Sequence, residues 1–139
     1  MKEKSCGAIV YKIENSELKF LLVYQENGHY SFPKGHVENN ETEVETSIRE
    51  IKEETNLDVN IDTNFRHVIT YYLDNIGVYK DVVYYIATPV SFDLKSQEGE
   101  IRECNWNNYN ETLDKLEYDN IKEVFMSANE YIMNKEKLN

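Results

Sequence analysis

The chain has 139 residues, with 15 Lys and Arg against 26 Asp and Glu, so its formal net charge is −11. Binding nucleic acid by neutralising phosphates wants the opposite sign, and no apolar run approaches the roughly 20 residues of a membrane helix. A stable nucleic-acid partner and a membrane partner are therefore not expected. The length suits one domain with a proper core. With two prolines, five glycines and no low-complexity tract or repeat, a single domain over residues 1–139 is expected. Cys6 and Cys104 lie in apolar stretches without zinc or CxxC spacing, which reads as buried free thiols in a reducing compartment. The opening MKEKSCGAIVYKIE is too short and polar for a signal peptide, so a cytoplasmic setting is expected.

In chain order, residues 5–11 and 20–24 are apolar and β-branched and read as strands. Asn15 and Ser16 mark the turn between them. Residues 31–33 form a short extended piece leading into a loop at Gly35, and residues 41–55 read as a helix. Residues 68–72 and 78–87 read as an antiparallel pair around a turn at 74–77. Residues 101–106 give another strand, in which Trp106, like Phe65 earlier, is read as core. Ile121, Val124, Phe125, Ala128 and Ile132 recur at helical spacing and give a terminal amphipathic helix. The order points to an α/β fold, with a mixed sheet sandwiched between helices.

Residues 35–57 read GHVENNETEVETSIREIKEETNL. Residues three and four apart share a helix face, so Glu50, Glu53 and Glu54 fall in one stripe and Val44, Ile48 and Ile51 in another that can face a core. Clustered carboxylates repel, and hard-oxygen ligation of Mg²⁺ or Mn²⁺ is a good reason to hold them together. Such an ion both neutralises phosphate charge and acidifies an attacking water. Arg49, one turn before Glu53, can pair with it. Asn40 with Glu43 gives a plausible N-terminal capping box. A run such as REIKEE alone is an ordinary solvated face. That account leaves Gly35 and Glu41 at their offsets, and the preceding Ser31-Phe32-Pro33-Lys34, unexplained.

The pattern resembles the Nudix box, G-x5-E-x7-R-E-U-x-E-E-x-G-U with U apolar. Gly35, Glu41, Arg49, Glu50, Ile51, Glu53, Glu54 and Leu57 match, and the box's last glycine is Asn56 here. Asn is the best non-glycine residue for a left-handed C-cap, so little chemistry should be lost. The resemblance implies the α/β/α sandwich of the Nudix fold. It also implies a divalent-metal hydrolase that cuts phosphoanhydrides in a nucleoside diphosphate linked to another group.

Over residues 5–132 the order of flanking motifs is similar to the asymmetrical diadenosine tetraphosphate hydrolases. These motifs are SCGAIV, FLL, FPKGHVE, KDVVYY, and Glu100 six residues before Trp106. That resemblance implies attack by water on a phosphorus of the tetraphosphate bridge to release ATP and AMP. Either a monomer or a homodimer is expected. Glu50 and Glu54 match the principal metal ligands. Glu53 matches a third carboxylate that binds further metal or acts as base. Glu100 matches a carboxylate on a separate loop, with Glu98 and Glu103 as neighbours for the same role. A backbone carbonyl of Lys34 or Gly35 is a further ligand candidate. His36, Lys80 and Lys34 match groups that meet the polyphosphate, with the Lys34 side chain free to point to solvent instead. Tyr71 and Tyr118 match aromatic positions that sandwich an adenine, and Tyr72 competes with Tyr71 because a one-residue slip reverses the face. The other readings are a Nudix pyrophosphohydrolase of nucleoside triphosphates, nucleotide sugars or RNA 5′ ends, and a non-catalytic nucleotide-binding regulatory domain.

Overall fold

In the computed structural model, residues 2–138 are described. Strands β1 (Lys2–Glu14) and β2 (Glu17–Gln25) form a hairpin closed by Asn15 and Ser16. Both turn residues have left-handed φ, 53° and 65°, which matches the twist that two-residue hairpins require. Two short strands follow, β3 (Tyr30–Ser31) and β4 (Lys34–His36). Helix α1 (Glu43–Thr55) leads to β5 (Val59–Leu73), β6 (Val78–Pro89), β7 (Ile101–Asn107), α2 (Tyr109–Lys115) and α3 (Asp119–Glu136).

The main path of the sheet runs β3-β2-β1-β6-β5, with β4 also on β1 and β7 on β2. The β1–β6 pair is parallel and the other pairs are antiparallel, so the sheet is mixed. Strand β1 is long enough to serve two partners along one edge. Residues 5–7 pair with β4, and residues 11–14 pair with β2.

Side chains alternate across a strand, so β1 divides its residues between two cores. Ile9 and Tyr11 join Phe20, Leu22, Phe32, Tyr84 and the α3 residues Ile121, Val124, Phe125, Ala128 and Ile132. Cys6, Ala8 and Val10 join Leu21, Val83, Tyr85 and Ile51 of α1. Helices thus cover both faces of the mixed sheet, which is the α/β/α sandwich that the sequence implied.

Several local expectations are corrected. Helix α1 is capped by Thr42, whose Oγ1 accepts from the Glu45 N–H (3.1 Å) while Glu45 Oε1 accepts from the Thr42 N–H (2.8 Å). Asn40 cannot cap, because Asn39 and Asn40 form a left-handed turn (φ 48° and 64°). Glu43 is engaged elsewhere, by Lys4, Arg66 and Tyr85. Ile48 is 39% exposed. Ile51 of the expected stripe is buried and Val44 packs against the same core, and Thr46, Ser47, Glu54 and Thr55 complete the face of α1 that meets the sheet. Gly35 lies in a strand, β4, not in a loop, and β5 begins at Val59, well before residue 68. Helix α2 was not expected, although Asn108 and Glu111 form its capping box. Phe65 is buried, Trp106 only partly so. Cys6 is buried and Cys104 half-buried, and both are free thiols.

Candidate active site

Asn56 ends α1 in the left-handed conformation (φ 68°). Its N–H donates to the Lys52 carbonyl, and its Nδ2 donates to the Asp93 carbonyl (2.8 Å). The departure from the box glycine therefore keeps the cap geometry and ties the helix end to the loop before β7.

The other end of the box is fixed by close approach. A Cβ on Gly35 would fall inside the Glu50 carboxylate, and one on Gly7 would collide with the Pro33 carbonyl and Lys34. Both glycines have ordinary φ, so each is there for space. The absence of those Cβ atoms lets β4 lie against β1 on one side and against the acidic face of α1 on the other.

That packing brings the carboxylates and cations into one cleft of about 350 Å³. It is lined by Glu50, Glu53 and Glu54 of α1, Lys34, Gly35 and His36 of β4, Lys80 of β6, and Glu100 before β7. Ser5, Gln25, Glu38, Gln97 and Ile101 complete the lining. Of the three acidic candidates near β7, only Glu100 lines the cleft. Glu103 is turned to Tyr30 and Asn105 instead. A larger cavity of about 450 Å³ near Ser16, Asn108 and Met133 carries one carboxylate, Glu17, and no cluster.

Arg49 organises the carboxylates from behind. It makes a two-pronged contact with Glu41 (2.6 and 2.9 Å), and its Nη1 reaches Glu50 (2.9 Å) and Glu53 (3.2 Å). Its Nη2 donates to the His36 carbonyl (2.9 Å). The expected Arg49–Glu53 pair is present, but Glu41 is the stronger anchor. Glu41 is itself fixed by the Glu38 N–H and the Thr46 hydroxyl. The Arg49 hydrogen bonds hold its carboxyl down at about 2, so it stays ionised. This role for Glu41 was not assigned from sequence, although the offset that brings it to Arg49 was visible there.

Glu54 is 8% exposed and accepts the Lys34 N–H (3.2 Å). Burial, then the neighbouring Glu50 charge, pushes its carboxyl up to about 8. Glu50 is also raised, first by burial, against the pull of Arg49. Lys34 does not point to solvent. It lines the cleft, and burial followed by repulsion from Lys80 lowers its pKa. Two carboxylates raised by burial and mutual repulsion form a donor set that a hard divalent cation relieves. Among the described residues no three His, Cys, Asp or Glu side chains converge on one point. Magnesium does not need that, since it binds through one or two carboxylates, waters and substrate phosphates. The residues present fit such an ion.

Tyr71 and Tyr118 lie outside the cleft lining. Tyr71 sits opposite Lys80 across the β5–β6 register and packs against the α3 core. Its hydroxyl engages Asn120 and is close enough to feel Tyr118, which is 62% exposed at the start of α3. Tyr72 points to the opposite face and packs on Tyr79 (4.9 Å between centroids). The register thus favours Tyr71 over Tyr72 as a neighbour of the cleft. His29 pairs with Glu117 and His67 stacks on Phe65, both away from the cleft lining.

A family model described as NUDIX domain matches residues 4–128. The chain is 27% identical to the bis(5′-nucleosyl)-tetraphosphatase [asymmetrical] of Sus scrofa, over 95% of this chain and 97% of that protein. A solved binary complex of a C. elegans Ap4A hydrolase superposes with a TM-score of 0.86 at 23% identity, covering 95% and 98% of the two chains. The NUDIX domain of Shewanella oneidensis NrtR, solved with ADP ribose, gives 0.74 at 17% identity over 94% and 89%. Nudix hydrolases generally use divalent metal ions, in keeping with the paired carboxylates above. The intact box on α1, the mixed sheet that carries it and the matching model together place the chain in the Nudix family, as a hydrolase acting on phosphoanhydrides.

Proposed function

We propose that the chain hydrolyses dinucleoside tetraphosphates off-centre, releasing ATP and AMP from diadenosine tetraphosphate. The observation that carries the reading is the row of side chains on one face of the sheet. Lys34 and His36 on β4, Lys80 on β6 and Tyr71 on β5 share that face by register. Strands β4, β1, β6 and β5 lie side by side, so the row spans about 14 Å at the usual strand spacing. Such a row suits a base stacked on Tyr71 and Tyr118 at one end and a phosphate chain running past Lys80 toward the carboxylates at the other. The similarity to the asymmetrical bis(5′-nucleosyl)-tetraphosphatase of Sus scrofa supports it.

In this reading Glu50 and Glu54 hold Mg²⁺ or Mn²⁺, with Glu53, Glu100 and a carbonyl at Lys34 or Gly35 as further donors. The bound ion supplies charge neutralisation at the phosphates and a more acidic water. The chain's own residues do the rest. Lys80 and Lys34 place positive charge on the phosphate chain, and His36 donates a hydrogen bond to it. Arg49 keeps Glu50 and Glu53 oriented. A carboxylate of the set, Glu53 or Glu100, accepts the proton of the attacking water. The two free thiols fit a reducing compartment such as the cytoplasm, and the whole chain is taken as one catalytic unit.

The test is product analysis after incubation with diadenosine tetraphosphate, with and without Mg²⁺. ATP plus AMP, formed only with the ion, is the expected result. Two ADP would mean a central cut. No product would overturn the substrate and turn the search to nucleoside triphosphates, nucleotide sugars and RNA 5′ ends.

A further inference from the structure

Ser5 is 1% exposed on β1, between His36 of β4 and Val82 of β6. Its Oγ is buried and has no hydrogen-bond partner among the described residues. By register it shares a sheet face with His36 and with Lys80, two residues before Val82, and all three line the cleft. The other buried side-chain polar atom without a partner among the described residues is Gln97 Oε1, and Gln97 lines the same cleft. A buried hydroxyl that bonds nothing loses its hydration with no return, and native proteins rarely keep one without a reason. An alanine at position 5 would extend β1 equally well and avoid that penalty. The orphaned atoms therefore point to something that enters the cleft.

What enters must suit a hydroxyl in this electrostatic setting. Glu38, Glu50, Glu53, Glu54 and Glu100 line the cleft, and its two lysines already repel one another. A third cation would add to that repulsion. A neutral donor adds a hydrogen bond to a phosphate oxygen without it. We propose that Ser5 is a substrate-binding residue whose hydroxyl donates to a non-bridging oxygen of the polyphosphate, between Lys80 and His36. This rests on the dinucleoside polyphosphate reading for the substrate used, but not for the chemistry of the contact.

The test compares wild type with Ser5→Ala at fixed free Mg²⁺. The readouts are KM and kcat for diadenosine tetraphosphate, the inhibition constants of inorganic tripolyphosphate and of adenosine, and Tm. Loss of one hydrogen bond to a charged oxygen corresponds to about a tenfold rise in KM and in the tripolyphosphate constant. The kcat should stay within about threefold, inhibition by adenosine should be unchanged, and Tm should hold or rise. Ser5→Thr keeps the hydroxyl and should restore much of the affinity. Should Ser5→Ala not fold, Ser5→Cys, close in shape with a weaker donor, gives the same comparison. Unchanged KM and tripolyphosphate inhibition would overturn the proposal, as would a fall in Tm or in kcat alone. If wild type leaves diadenosine tetraphosphate intact, the substrate reading fails by itself. Tripolyphosphate inhibition is then measured against whichever nucleoside diphosphate derivative is hydrolysed, and it still decides the role of Ser5.

Discussion

Removing divalent metal should make this protein lose stability as pH rises from about 4.5 to 8, and Glu54→Gln should abolish most of that loss. Glu54 is 8% exposed and faces Glu50 and Glu100, with only Lys34 pulling the other way. Its carboxyl is pushed from an ordinary 4.5 up to about 8. Between those values the folded state keeps a proton that the unfolded state has released. The stability linked to this group is thus fully present below 4.5 and is lost as pH rises through 8. The full displacement corresponds to about 5 kcal/mol at most. Taking half as what survives relaxation and water penetration leaves roughly 2 kcal/mol. For a chain of this size that is about 6–10 °C in Tm. Glu50 is displaced in the same direction and adds to the trend. The strongly lowered Glu41 and Glu43 titrate below this window. The assay is a thermal melt in chelator at pH 5, 6, 7 and 8, repeated with Mg²⁺. Added Mg²⁺ should raise Tm more at pH 8 than at pH 5, because it compensates the charge that burial penalises. A flat or rising Tm in chelator, or an identical slope in Glu54→Gln, would refute the account of the paired carboxylates.

Gly35→Ala should fold with Glu50 displaced, because its Cβ would occupy the space of that carboxylate. Turnover should fall by about 100-fold or more, in line with the cost of a misplaced group near the chemistry, and steady-state kinetics checks it. Glu41→Gln removes the two-pronged anchor of Arg49 without touching the cleft. A supporting contact of this kind is worth about 10–100-fold in activity or metal affinity, read as kcat against Mg²⁺ concentration. Thr42→Ala removes the α1 cap and should cost about 1 kcal/mol. Its Tm should drop by about 3–5 °C with kcat nearly unchanged, whereas Asn40→Gly, which removes the side chain but keeps the left-handed turn, should show no such loss.

The helix of the box, its left-handed end at Asn56, the Asn15-Ser16 turn and the apolar face of α3 were legible in the sequence because each is encoded by neighbours within a few residues. Periodicity of 3.6, a side chain that tolerates positive φ and a carboxylate three residues past a cap are local properties. The grouping of Glu50, Glu53 and Glu54 belongs to the same class, as does the reach of Arg49 to Glu53. The features that only the tertiary structure decided depend on what arrives from elsewhere in the chain. Asn40 lost the cap because Asn39 and Asn40 turn left-handed, and Glu43 went to Lys4, Arg66 and Tyr85 from distant parts of the chain instead of turning back to a cap. Ile48 stayed exposed because the sheet met α1 on the Thr46, Ser47 and Ile51 side. Glu100 separated from Glu98 and Glu103 through the path of one loop, and Tyr71 separated from Tyr72 through one register with β6. Lys34 turned inward and Ser5 gained its place beside Lys80 and His36 only when β4 docked on β1. Strand register and helix docking are set by long-range burial, and a single sequence carries that information in no local pattern.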